Sequence, residues 1–151
     1  MPQQNSSADA MPVIVEQTFA VPVGNVWGAI TDHHQMQHWY FDLPEFRPEV
    51  GFEFRFTGGT PEHQYLHLCK IEEVIPLKKL KHSWRYDGYE GMSHVTFELF
   101  DEGEMTRVKL THEGLETLPQ SNPDFAKSNF AAGWKSIIGS SLEGYLDEAA
   151  H

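Results

Sequence analysis

The 151-residue sequence predicts an α+β fold in which a curved antiparallel sheet of six or seven strands wraps around one long C-terminal helix. Three observations carry this. The hydrophobic period changes from about 3.6 over residues 23–40 to 2 over residues 52–112. The period-2 runs are joined by short turn sequences, which makes neighbouring strands antiparallel. The chain then closes on an amphipathic segment whose apolar stripe finds no partner except the inner face of that sheet.

Residues 1–11 carry no periodicity and are expected to form a disordered tail, with a single domain over residues 12–151. Val13, Val15, Gln17 and Phe19 alternate with Ile14, Glu16, Thr18 and Ala20 in a first strand that stops at Pro22. Pro22 suits a helix start, and Val23, Val26, Trp27 and Ile30 then fall on one helical face. Thr31-Asp32 reads as the cap of a second short helix, from His33 to about Tyr40. Phe52, Phe54 and Phe56 alternate with Glu53, Arg55 and Thr57 in the next strand, which Gly58-Gly59-Thr60-Pro61 closes. Tyr65 to Ile75 follows, ended by Pro76, and then Lys79 to Tyr86, with Leu80, His82, Trp84 and Tyr86 inward and Lys79, Lys81, Ser83 and Arg85 outward. After a turn begun by Asp87-Gly88, Ser93, Val95, Phe97 and Leu99 alternate with His94, Thr96 and Glu98. A hairpin loop over Asp101-Glu102-Gly103-Glu104 leads to Thr106, Val108, Leu110 and His112, which continue the buried face. The long helix is expected from Pro123 to Ala149, with Asn122 as N-cap, Pro123 at the first helical position and Asp124 in the first turn. Phe130, Trp134, Ile137, Ile138, Ser141, Leu142, Tyr145 and Leu146 form its apolar stripe, opposite Lys127, Lys135, Glu143 and Asp147.

Composition narrows the function classes. Eleven Lys and Arg against 22 Asp and Glu give a net charge of −11, which repels phosphates, so neither nucleic acid nor an anionic membrane is an expected partner. There is no run of about 18 apolar residues and no basic, apolar leader, which points to a soluble cytoplasmic protein. The single cysteine, Cys69, excludes an internal disulfide, a multi-cysteine zinc site and CxxC redox chemistry. No stretch matches the nucleotide-binding glycine patterns or a GxSxG nucleophile, and no cofactor is expected.

The order of strand, two short helices, five strands and long helix resembles the helix-grip fold of the START-like (SRPBCC) superfamily, known from the birch-pollen allergen. Local wording narrows it further. Val26-Trp27-Gly28-Ala29-Ile30-Thr31-Asp32 with Met36-Gln37-His38-Trp39-Tyr40 is similar to the opening of the heat-shock-protein ATPase activator homologue (AHSA) family. So are Val50-Gly51-Phe52-Glu53-Phe54, with valine replacing the first glycine, and Ile71 to Leu80 followed by Ser83-Trp84, with Leu77 where a second proline is usual. Gly133-Trp134-Lys135 and Leu142-Glu143-Gly144-Tyr145-Leu146 are similar to its closing helix. These are mostly packing residues, so they specify the fold more than an activity. The resemblance implies a bacterial single-domain protein with a cavity for a hydrophobic small molecule between helix and sheet. Eukaryotic co-chaperones of this name carry an additional amino-terminal domain for which 151 residues leave no room, so chaperone activation is not expected.

The inner face supplies the candidate ligand-binding residues: Phe54, Phe56, Tyr65, His67, His82, Trp84, Tyr86, Phe97 and His112, opposite Trp134 and Ile138 of the helix. An aromatic wall dotted with polar atoms is what small-molecule sites of about 300 to 1,000 Å³ look like. A filled core whose Tyr and His groups bond to backbone or buried water has the same signature. The leading expectation is a non-enzymatic binding module for a hydrophobic or aromatic molecule. The alternatives are a cyclase- or hydrolase-like enzyme with His82 or His112 as general acid/base, and a co-chaperone-like interaction module. The last predicts an apolar outer patch, and the charged outer positions Lys79, Lys81, Arg85, Glu98, Arg107 and Lys109 count against it, while a homodimer stays open. His34 and His38, four residues apart, read as surface histidines without a metal because no third ligand is set by spacing. Cys69 reads as a small buried hydrophobe, and Trp39-Tyr40-Phe41-Asp42 either rims the cavity or packs under the sheet.

Overall fold

The structure is a computed structural model, and it describes residues 11–41, 43–59 and 62–149. The expected tail therefore lies outside the described residues except for Met11, as do Asp42, Thr60-Pro61 and the last two positions of the expected domain. Strand β1 (Val13–Phe19) is followed by helices α1 (Val23–Thr31) and α2 (His33–Met36), then by β2 (Glu53–Gly59), β3 (Gln64–Ile75), β4 (Lys79–Tyr86), β5 (Ser93–Glu102) and β6 (Met105–Glu113). The C-terminal helix runs as α3 (Lys127–Ser136), a π-helical stretch (Ile137–Leu142) and α4 (Glu143–Ala149). The strands form one antiparallel sheet in the order β1-β6-β5-β4-β3-β2.

Period-2 alternation sets the register, because a slip by one residue would turn every apolar side chain to water. The observed pairing carries the inner residues across the sheet in rows. Ile71 pairs with His82, His82 with Val95, Val95 with His112, and His112 with Val13. A neighbouring row joins Phe56, His67 and Tyr86. On the covering side lie α1 and the C-terminal helix, whose Val26, Ile30, Trp134, Ile138, Leu142 and Leu146 are buried. The core thus sits between the sheet and this layer.

Three local expectations need correction. The long helix does not begin at Pro123. The Asn122 side chain does cap, accepting from the Asp124 N–H at 2.9 Å, but what it caps is a single 3₁₀ turn over Pro123–Phe125. Ala126 is then extended (φ −67°, ψ 141°), and α3 starts at Lys127. The break seats Phe125 at 1% exposure, 4.6 Å from the Tyr86 ring and 5.1 Å from the Tyr65 ring, so burial of one aromatic outweighs another turn of helix. The second short helix is four residues long, and the chain reaches Tyr40 through turns in which Tyr40 N–H bonds to Met36 O. The hairpin between β5 and β6 is closed by Gly103-Glu104 alone, with Glu102 still paired to Met105.

Candidate functional site

Because β2, β3, β4, β5 and β6 are neighbours in register, their inward side chains converge with those of the C-terminal helix. Trp84 is the hub. Its ring lies 4.9 Å from His67, 5.2 Å from His112, 5.4 Å from Trp134 and 5.6 Å from Phe56, and its indole N–H donates to the Tyr86 hydroxyl at 2.9 Å. Phe97 packs edge-on against Trp134, and Phe54 edge-on against His82. Ile138 is fully buried on the π-helical stretch, a local widening that often marks functional sites. Tyr65 stands apart at the end of β3. Its hydroxyl donates to Asp124 at 2.5 Å and accepts from Asn122 at 3.2 Å, which ties the β2–β3 hairpin to the approach of the C-terminal helix. That bond to Asp124 is the main reason the phenol is held above its ordinary pKa.

The space between sheet and helix is filled. Tyr40 and Phe41, from the turn that follows α2, reach into it: Phe41 stacks on Phe56 at 4.5 Å and Tyr40 on Trp134 at 6.4 Å. Beside them lies a void of about 10 Å³ lined by Ile30, Trp39, Tyr40, Phe54, His82 and Phe97 among others, room for one water at most. The buried hydroxyl of Tyr40 has no hydrogen-bond partner among the described residues, and burial, with the Cys69 thiol nearby, pushes its pKa well above 10. No periodic signal marks these two aromatics, since they belong to neither a strand nor a helix.

The three inner histidines differ in what they leave free. In His112, Nδ1 accepts from the Trp134 indole N–H at 2.9 Å, which places the proton on Nε2 and makes it the donor to Ser93 Oγ at 2.8 Å. Ser93 in turn donates to the Trp84 carbonyl at 2.7 Å. The relay runs away from the histidine, so Ser93 is no nucleophile activated by His112, and burial holds His112 neutral with a pKa well below 6.5. His67 donates from Nδ1 to the Tyr65 carbonyl at 3.0 Å, and burial lowers it to about 4. His82 donates from Nδ1 to the Ser83 carbonyl at 2.8 Å and is likewise lowered to about 4 by burial. Its Nε2 is thereby an acceptor on a residue that lines the void.

Other groups are accounted for by simple contacts. Cys69 is buried and its thiol is pushed up by desolvation, the opposite of activation. His34 and His38 meet edge-on at 5.5 Å, and His38 stacks on Tyr145 at 5.6 Å. Among the described residues no group of three or more metal-ligating side chains is gathered, and no helix is long and apolar enough to cross a membrane.

Residues 20–147 match the family described as Activator of Hsp90 ATPase homolog 1-like protein. No curated protein matches the chain. Protein MLL2253 from Mesorhizobium loti superposes with a TM-score of 0.75 at 25% identity, covering 91% of this chain and 97% of that one. CalU16 from Micromonospora echinospora does so at 0.69 and 25% identity, over 88% and 74%. DynU16, a protein of the dynemicin biosynthetic locus, reaches 0.73 at 23% identity, which shows the shared fold. That alignment covers 90% of this chain and 47% of DynU16, so the chain spans about half of that relative's length.

Proposed function

This chain belongs to the Activator of Hsp90 ATPase homolog 1-like family, and from that premise we propose that it binds a hydrophobic or aromatic small molecule between the sheet and the C-terminal helix. One observation carries the reading: the Tyr40 hydroxyl is buried without a partner on the wall of an apolar void. Such a group costs about 1–3 kcal/mol in an otherwise satisfied interior, and a ligand that supplies the missing partner recovers that cost. A void of about 10 Å³ is far below the few hundred Å³ a ligand fills, so the ligand takes the place of the filling aromatics. Tyr40 and Phe41 are the side chains to yield, because they enter from a turn whereas the other walls are held by sheet register and helix packing. Phe54, Phe56, His67, His82, Trp84, Tyr86, Phe97, Trp134 and Ile138 then form the walls. Tyr65 and His112, engaged with Asp124 and with Ser93 and Trp134, brace them. His82 Nε2 as acceptor and the Tyr40 hydroxyl as donor suit a ligand hydroxyl, such as a phenol. In the enzyme alternative His82 is the general base to consider, since both nitrogens of His112 are engaged.

The test is titration with the neutral aromatic reporter N-phenyl-1-naphthylamine, read by energy transfer from tryptophan, in the native protein and in Tyr40→Ala with folding checked by urea unfolding. One saturable site is expected, severalfold tighter in Tyr40→Ala, where the interior is already enlarged. Absence of saturable binding in both proteins would overturn the reading.

A further inference from the structure

We propose that the outer face of the sheet carries a second and separate binding site, a trough across β2, β3 and β4 that takes a small organic oxyanion with an apolar body. Its frame is the strand register. Arg55 pairs with Leu68 and Leu68 with Arg85, so the two arginines stand on either side of one leucine, their Cα atoms about two strand spacings or 10 Å apart. The trough holds about 430 Å³, and Lys70, Ser83 and Met92 complete its walls. Leu68 is half-buried at its floor, and Met92 is 43% exposed.

The charges distinguish this patch from the rest of the outer face. Lys79 pairs with Glu73, Lys81 with Glu113, and Arg107 with both Glu16 and Glu102, while Lys109, itself without an ion pair among the described residues, lies between Glu16 and Glu98 in the register. Arg55, Lys70 and Arg85 form no ion pair among the described residues, although the chain carries twice as many carboxylates as cations. The lining holds these three cations against one carboxylate, Glu53, which lies opposite Lys70 in the register and leaves both arginines uncompensated. Stems lying flat over Leu68 would serve solubility alone, but they would close the trough that is observed. Guanidinium groups present planar, forked donors that match a carboxylate or sulfonate in bidentate fashion. A molecule with its oxyanion between the arginines places its apolar body on Leu68 and Met92. The site faces away from the aromatic interior and does not depend on it.

Isothermal titration with naphthalene-2-sulfonate, and with neutral 2-naphthol as the uncharged counterpart, tests this in the native protein, in the double variant Arg55→Gln/Arg85→Gln and in Tyr40→Phe. The variants at 55 and 85 change exposed side chains, and thermal melting verifies that they fold. The sulfonate is expected to bind the native protein and Tyr40→Phe alike, to weaken at least tenfold in the double variant, and to weaken in 0.5 M salt, where exposed charges are screened. Amide shifts in the ¹H–¹⁵N spectrum are expected at Leu68, Lys70 and Arg85. Equal sulfonate affinity in the native protein and the double variant, or 2-naphthol binding as tightly as the sulfonate with the same shifts, would overturn the proposal. A neutral probe that binds only in the interior bears on the reading of the interior and leaves this outcome separate.

Discussion

Two buried hydroxyls, Tyr40 and Ser93, make opposite contributions to the same interior. Ser93 is fully buried and occupied on both sides, accepting from His112 Nε2 and donating to the Trp84 carbonyl. Ser93→Ala therefore strands the His112 N–H in a site where no water reaches it, and a loss of about 1–3 kcal/mol is expected in urea unfolding. The Tyr40 hydroxyl makes no bond among the described residues, so Tyr40→Phe removes a cost and leaves the ring contacts with Phe41 and Trp134 in place. A gain of about 1–3 kcal/mol, the cost of the unpartnered hydroxyl, is expected from the same measurement. A loss on Tyr40→Phe would mean that the hydroxyl is satisfied in solution by a bound water, and would remove the observation on which the interior ligand site rests.

The C-terminal helix shows what an element owes to its sequence and what it owes to its neighbours. Gly144 sits on the exposed side of α4, and a Cβ added there meets nothing within 4 Å. Gly144→Ala is expected to stabilise by about 0.5–1 kcal/mol, visible as a rise in melting temperature, because glycine loses more backbone freedom on folding. Gly139, in the π-helical stretch, is closer to its surroundings: a Cβ there comes within 3.3 Å of the Gln17 side chain, and Gly139→Ala is expected to gain less. Apolar periodicity placed all six strands and the inward faces of His67, His82, Trp84 and His112, since a half-buried strand admits only one alternation. The start of the long helix was misplaced because Asn122-Pro123-Asp124 is a helix-start signal that a 3₁₀ turn satisfies equally well. What decides between them is the burial of Phe125, a tertiary contact with no local mark. For the same reason sequence leaves open whether Tyr40 and Phe41 rim the cavity or pack under the sheet, and it does not show that Arg55 and Arg85 straddle one leucine. That juxtaposition depends on the register of three strands.

At the scale of the whole molecule, the interior couples folding to pH through its buried histidines. His67 and His82 are lowered to about 4 and His112 is lowered as well, in each case chiefly by desolvation of the charged form. In the unfolded chain each titrates near 6.5. Between those values the unfolded state holds protons that the folded state does not, so stability rises with pH there. The contribution is complete above about pH 7 and is lost as the pH falls toward 4, on the order of 3 kcal/mol for each of His67 and His82. Against a typical stability of about 5–15 kcal/mol this makes mild acid a strong destabiliser. Urea midpoints are expected to hold between pH 8 and 7 as far as these groups are concerned, and to fall steeply from pH 6 to 5. His82→Phe removes one of the titrating groups and keeps an aromatic ring beside Phe54 and Trp84. Its stability at pH 7 is confounded by the lost bond to Ser83, so the slope is the quantity to compare. That slope below pH 6 is expected to flatten by about 1.4 kcal/mol per pH unit, one proton's worth. An unchanged slope would mean that His82 takes up no proton on unfolding in this range and would overturn its share of the acid response.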